Sequence, residues 1–197
     1  MLEKTLIFET LVCFISGAIP FAIIALWGTG IDIRKVGSGN PGFNNVLRVS
    51  KPRAALTLLG DMAKGYIPVW FFYDPSVDPL FHGWLFAFAA VFGHCYSPFL
   101  NFNGGKGIAT SSGVMLRLFP QWAALGLLFF IAIRVLASNR KWPEAGAIGS
   151  IATWVFFSLM MYLYEDGFAT RNAALMTLYL TWRHKSNIQR FFASGHA

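Results

Sequence analysis

Two glycine-rich turns, each with a nearby cation, and a short basic tail carry the residues of this chain whose types and spacing suit chemistry. The first turn reads Gly37-Ser-Gly-Asn-Pro-Gly-Phe-Asn-Asn-Val-Leu-Arg48. Its glycines permit positive φ and close approach of a ligand to the backbone. Successive amides at Gly37 and Gly39 predict an anion-binding nest, with Ser38 and Asn40 as short side-chain partners and Arg48 as a cation at the exit. The second turn, Gly104-Gly-Lys-Gly107, opens a helix. Exposed amides of Gly104, Gly105 and Gly107, the positive end of a helix dipole and the Lys106 ammonium then converge on one spot, which suits a phosphate. In the tail, His184 and Asn187 are three apart and share a face if helical. A histidine there serves as a general base or holds a phosphate, and an interfacial histidine among lipid headgroups fits the same spacing.

Neither turn is a nucleotide motif. The glycine that a P-loop requires five residues before Gly105 is Leu100, and Ile108 stands where Ser or Thr would follow the lysine. Gly37–Gly42 matches G-x-G-x-x-G, but no strand–helix–strand pattern surrounds it. Cys13 and Cys95 have no metal-ligand spacing and read as structural thiols. No metal and no cofactor are expected.

The elements that must position these residues are apolar helices. The 197 residues are 55% apolar and 13% charged, and the mean hydropathy of +0.52 fits a polytopic membrane protein in contact with membrane lipids. A net charge of +7 carried on short loops between apolar runs argues against nucleic acid as a partner. The first apolar run opens with Glu3, Lys4 and Glu9 in place of a basic leader, so a cleaved signal peptide is not expected. Seven spans are predicted, near 6–27, 54–73, 80–92, 108–119, 122–137, 145–164 and 168–182, in a single domain over 1–197. Asp61 and Lys64 share a face of the second span, and a neutralising pair is expected there. Arg117, Arg134 and Arg171 lie near span ends, where snorkelling accounts for them. Counting seven spans places Arg34, Lys35, Arg48, Lys51, Arg53, Lys106, Arg140, Lys141, Arg183, Lys185 and Arg190 on one side. That side is cytoplasmic by the excess of Lys and Arg, with the N-terminus outside and the C-terminus inside.

With these motifs in order, the chain resembles the bacterial membrane glycerol-3-phosphate acyltransferase family that uses acyl-phosphate as donor. The resemblance covers nearly the whole length. It is carried by Asp32-Ile-Arg-Lys-Val-Gly-Ser-Gly-Asn-Pro-Gly42, Asn45-Val-Leu-Arg48, Leu56-Thr-Leu-Leu-Gly-Asp-Met-Ala-Lys-Gly65, Gly104-Gly-Lys-Gly-Ile-Ala-Thr110 and Arg183-His-Lys-Ser-Asn-Ile-Gln-Arg190. It implies an all-α, seven-helix protein of the bacterial inner membrane, a monomer with its active site facing the cytoplasm. It also implies acyl transfer from acyl-phosphate to the 1-hydroxyl of glycerol 3-phosphate, giving lysophosphatidic acid and phosphate. By motif, Ser38, Arg48, Lys106, His184 and Asn187 become catalytic, with Gly37, Gly39, Asn40, Asn45, Gly104, Gly105, Gly107 and the position of Glu144 holding substrate or phosphate.

Four positions depart from the family pattern. Phe43-Asn44 replaces Ala-Thr, which places Phe43 as bulk beside the site, and Asn103 stands where a second Lys is frequent. Glu144 aligns with a serine of the family. A carboxylate among bound phosphates is repulsive by about 1 kcal/mol at 4 Å in water and several-fold more near a protein surface. Ser150 is no simple substitute, since six residues along a helix is roughly 9 Å. Three readings of Glu144 stand: it turns to a neighbour such as Arg140, it is a general base for another acceptor, or it marks an altered or inactive paralogue that binds a phosphorylated lipid.

Overall fold

The computed structural model describes residues 2–194, and every regular element among them is helical. Ten α-helices follow one another: α1 (Leu2–Ala18), α2 (Phe21–Ala25), α3 (Phe43–Val46), α4 (Lys51–Phe72), α5 (Leu80–Cys95), α6 (Ile108–Leu118), α7 (Pro120–Asn139), α8 (Ala145–Tyr164), α9 (Gly167–Arg183) and α10 (Lys185–Ala193). Four stretches are long and apolar enough to cross a membrane: Lys4–Ala25, Leu80–Leu100, Pro120–Asn139 and Ala145–Tyr164. Their exposed Leu, Ile and Phe side chains, such as Ile7, Phe8, Leu127 and Leu128, are what lipid contact requires. The chain divides into two compact units, one ending at Leu118 and the other beginning at Phe119.

In the first unit the opening apolar run is two helices rather than one. Proline at position 20 has no N–H to continue the ladder, and α1 stops at Ala18. The carbonyls released at the break are taken up by other elements: Ser97 Oγ donates to Ala18 O at 2.6 Å, and Lys64 Nζ donates to Ile19 O at 2.7 Å. Ser16 Oγ in turn donates to Lys64 O at 3.0 Å. Arg53 closes the end of α2 through Ala25 O and Trp27 O. Backbone-to-backbone packing sets how closely the other helices approach. A methyl group at Gly65 would lie 2.3 Å from Thr110 O, and one at Gly113 2.0 Å from Met62 O, so α4 and α6 meet at a distance only glycine allows. Beneath the first polar turn, Ala22, Leu26, Ile33, Val46 and Ala54 form a buried cluster that Phe43 packs against. Phe43, half-buried, rests on this cluster. Arg117 also departs from expectation: instead of snorkelling, its guanidinium donates to Tyr73 O at 2.6 Å, closing the end of α4.

The Asp61–Lys64 pair forms as expected, with Lys64 Nζ 2.7 Å from Asp61 Oδ1 and both side chains 3% exposed. Sequence spacing did not bring in a third member. His94 of α5 is also buried and sets Nδ1 3.6 Å from the same Asp61 oxygen.

The second unit is a run of antiparallel helices, α7 on α8 and α8 on α9, with α10 folded back. Asp166 caps α9 by accepting from Ala169 N at 2.7 Å, as an N-cap carboxylate does. Thr177 Oγ1 donates to Trp154 O at 3.1 Å, a polar tie between α8 and α9. The basic tail is α10, nine residues long, with Ile188 and Phe191 turned inward and Lys185 and Arg190 turned out.

Candidate active site

The first turn takes its shape from Asn45. Its side chain is buried, Nδ2 donates to Ile33 O at 3.1 Å and Val36 O at 2.8 Å, and Oδ1 accepts from Ser38 N at 3.2 Å. Gly37 and Gly39 sit at φ +55° and +69°, the left-handed region that glycine adopts without a Cβ penalty. Gly39 N donates to Val36 O at 2.9 Å, and Asn40 N points to Ser38 Oγ at 3.4 Å. Most of the turn's amides are thus used inside the turn. The expected nest of open N–H groups is corrected, and Asn45 holds the loop together from within instead of facing a ligand. What the turn presents outward is the exposed Ser38 side chain and Arg48, whose Nη1 passes 3.3 Å from where a Cβ on Gly37 would be. Arg34 is a nearby cation already engaged. It pairs with Asp32 through Nε–Oδ1 at 2.8 Å and Nη2–Oδ2 at 3.0 Å, and this guanidinium holds the Asp32 carboxyl below the usual carboxylate range.

The second turn is seated on His94. Gly105 N donates to His94 O and Gly104 N to Cys95 O, each at 3.1 Å. A methyl group at Gly105 would lie 2.1 Å from His94 Nε2, and one at Gly104 2.0 Å from His94 O. These glycines allow the loop to lie flat on an imidazole, and the expectation that their amides are held out toward an anion is corrected for the same reason. Gly107, at φ +88°, turns the chain into α6, and Ser111 N closes the first helical turn on Gly107 O at 2.8 Å. Lys106 lies between the seated glycines and the helix start, half-buried. Asn103, at the position of the frequent second lysine, is exposed and donates to Asn101 O at 3.3 Å.

In the second unit Asn187 meets Glu144, and His184 stands at the start of the same helical turn as Asn187. His184 joins α9 to α10 and is 4% exposed. Its Nδ1 lies 2.8 Å from Leu180 O, and since a carbonyl only accepts, Nδ1 carries a proton and donates it to this carbonyl. Asn187 N donates to His184 O at 2.8 Å, so the two side chains belong to one turn. Glu144, at φ +58°, accepts from Asn187 Nδ2 at 2.5 Å through Oε2 and from Arg190 Nε at 2.6 Å through Oε1. Its partner is therefore Arg190 and not Arg140. Forty-six residues separate this pair, beyond the reach of helix-spacing arguments. Trp142 adds an edge contact to Phe191, 6.2 Å between ring centroids. A groove of about 290 Å³ runs beside these residues, lined by Glu144, Asn187 and apolar side chains that include Ile148, Ile151, Ile188 and Phe192.

The glycerol-3-phosphate acyltransferase family model matches residues 7–194. A glycerol-3-phosphate acyltransferase of Methylobacillus flagellatus is 38% identical over 188 residues, covering 93% of this chain and 92% of its own. One of Pseudomonas syringae pv. tomato is 36% identical over 182 residues, with 91% of each chain covered. Among solved structures, PlsY (YgiH), an integral membrane glycerol 3-phosphate acyltransferase crystallised in its glycerol 3-phosphate form, is similar with a TM-score of 0.82 at 28% identity. That match covers 96% of this chain and 93% of the other. Its lysophosphatidic acid form gives a TM-score of 0.81.

Proposed function

The chain belongs to the glycerol-3-phosphate acyltransferase family and is an acyltransferase, and we propose that it moves an acyl group from acyl-phosphate to the 1-hydroxyl of glycerol 3-phosphate. The products are lysophosphatidic acid and inorganic phosphate. The glycerol 3-phosphate and lysophosphatidic acid forms of the crystallised relative support this acceptor and product.

In this reading Lys106, Arg48 and Ser38 hold the phosphates of donor and acceptor, and His184 and Asn187 orient the acceptor. Bringing two phosphorylated substrates together supplies proximity. An acyl-phosphate is already activated, so no covalent nucleophile is needed. The acceptor's hydroxyl oxygen attacks the acyl carbon, the phosphate leaves with the electron pair of the broken C–O bond, and a phosphate oxygen of substrate takes the hydroxyl proton. Lys106 stabilises the oxyanion and the departing phosphate.

The observation that carries a competent enzyme over an altered paralogue is the pairing of Glu144 with Arg190 and Asn187. A carboxylate bound to a guanidinium and a carboxamide is neutralised locally, which removes the repulsion that an unpaired Glu144 would exert on phosphate. It also leaves Glu144 a poor general base, because its oxygens are already accepting.

The membrane arrangement follows the same reading. The four apolar stretches together with α4, α6 and α9 make seven spans of the bacterial inner membrane, with the N-terminus outside, the C-terminus in the cytoplasm and the site on the cytoplasmic face. The eleven residues of α6 reach roughly 16 Å, about half of the apolar layer, so α6 is the short member of the seven.

Phosphate release by the purified chain given palmitoyl-phosphate and glycerol 3-phosphate tests the proposal. Release that depends on both substrates and falls by about a hundredfold or more in Lys106→Ala is expected. Release equal to that of Lys106→Ala would sink it for this substrate pair. A Glu144→Ser variant that gains activity would favour the altered paralogue.

A further inference from the structure

Asp61, Lys64 and His94 are three ionisable side chains, 3%, 3% and 6% exposed, that none of the steps above uses. Ionic groups buried in this way are costly, and well-packed apolar residues would serve stability at least as well. What distinguishes this cluster is where its outer edge lies. Asp61 Oδ1 faces His94 Nδ1 at 3.6 Å, while the Nε2 side of the same ring lies directly beneath Gly105, where a Cβ would come within 2.1 Å. The backbone at the same place receives the turn's amides, Gly105 N on His94 O and Gly104 N on Cys95 O. Lys64 neutralises Asp61 and is itself anchored to Ile19 O at 2.7 Å, which fixes the carboxylate from the other side. One residue further along α4, Gly65 packs against Thr110 O in the first turns of α6. The stretch Asp61–Gly65 therefore supports both flanks of Lys106: residues 104 and 105 through His94, and residue 110 through Gly65.

We propose that Asp61 and His94 are positioning residues for Lys106, the carboxylate setting the orientation of the imidazole and the imidazole forming the floor on which the Gly104–Gly105 turn rests. The carboxylate acts on the imidazole across 3.6 Å, beyond hydrogen-bond reach, so it holds the ring by charge and close packing. The oriented object is a peptide turn. The inference rests on the reading that Lys106 contacts substrate phosphate.

The test compares the purified full chain with Asp61→Asn, which keeps shape and removes charge, and Gly105→Ala, which lifts the turn without touching Asp61. Each variant is expected to lower kcat by about tenfold to a hundredfold, the scale of a small misplacement of a catalytic group. The double variant is expected to lose little more than the worse single one, because both act on one turn. A second readout needs no activity. Cys95, buried beside the turn, is expected to react with a maleimide several-fold faster in Asp61→Asn, while Cys13 of α1, also buried, does not. Unchanged kcat and unchanged Cys95 labelling in Asp61→Asn would overturn the proposal. So would losses that multiply in the double variant with both cysteines labelled faster, since that pattern means general loosening. If Lys106→Ala turns over at the wild-type rate, the assignment of Lys106 fails and the positioning role falls with it. That failure is told apart by Cys95 labelling that still responds to Asp61→Asn.

Discussion

Glu144 Oε2 accepts a hydrogen bond from Asn187 Nδ2 at 2.5 Å, across forty-three residues of sequence. The other carboxylate oxygen is held by Arg190 at 2.6 Å, so one acidic side chain ties the start of α8 to both an amide expected at the site and the outer face of α10. Glu144→Ala is expected to lower kcat by about tenfold, because Asn187 loses the partner that orients it. The stability cost is small, about 1 kcal/mol, since Arg190 is half exposed and such pairs are screened. Steady-state kinetics on Glu144→Ala beside Arg190→Gln check this: Arg190→Gln should lose less, because it leaves the Glu144–Asn187 bond intact.

Asn45 should matter for folding more than for binding. Its side chain makes three hydrogen bonds inside the first turn, each contributing about 1 kcal/mol. Asn45→Ala is expected to destabilise the first unit by roughly 2–4 kcal/mol, and Asn45→Asp by a similar amount, because a carboxylate cannot donate to Ile33 O and Val36 O. Thermal unfolding in detergent measures the loss. An unchanged melting temperature in both variants would contradict the arrangement.

Breaking the buried pair from one side should be severe. Lys64→Met leaves Asp61 buried without its ammonium, and removal of one member of such a pair costs about 3–5 kcal/mol. The double variant Asp61→Leu/Lys64→Met should recover much of that stability but not the activity, if Asp61 also orients His94. Melting temperatures of the three proteins, read beside their rates, separate the two effects.

The loop at Asp32 gives a pH dependence of known sign. Its folded-state pKa lies below the unfolded value, chiefly through the hydrogen bond to the Arg34 guanidinium. The contribution of this pair is therefore fully present above the unfolded value, about 3.9, and is lost as pH falls through the lower folded value. Hydrogen exchange at residues 32–36 should be unaffected by this pair from neutral pH down to about 5 and should lose protection only below about 4. Loss between pH 7 and 5 would mean that another group controls the loop.

Membrane sidedness is open to direct measurement. A reporter inserted in 74–78 should be active only outside the cytoplasm, and one fused after residue 194 only within it. Both reporters on one side would exclude an odd number of spans between them and with it the seven-helix arrangement.

Helical class, membrane character and family were legible in the sequence because each depends on local or pattern information. Apolar run length marks the spans, the i,i+3 spacing of Asp61 and Lys64 marks the buried pair, and the order of motifs such as Gly104–Thr110 marks the family. What the sequence left open were relationships set by contacts between distant segments. Glycine turns read as open nests, because a string of residue types does not say where its amides go. The fold sends Gly105 N to His94 O and Ser38 N to Asn45 Oδ1. Glu144 read as a charge in search of a helical neighbour at Arg140, yet the return of α10 brings Arg190 from forty-six residues away. Nothing local to Phe43 reveals the cluster of Ala22, Ile33 and Val46 that it packs against. Residue type and spacing determined which groups are available for chemistry. Tertiary packing decided which backbone donors and charges are already satisfied, and so which remain to meet a substrate.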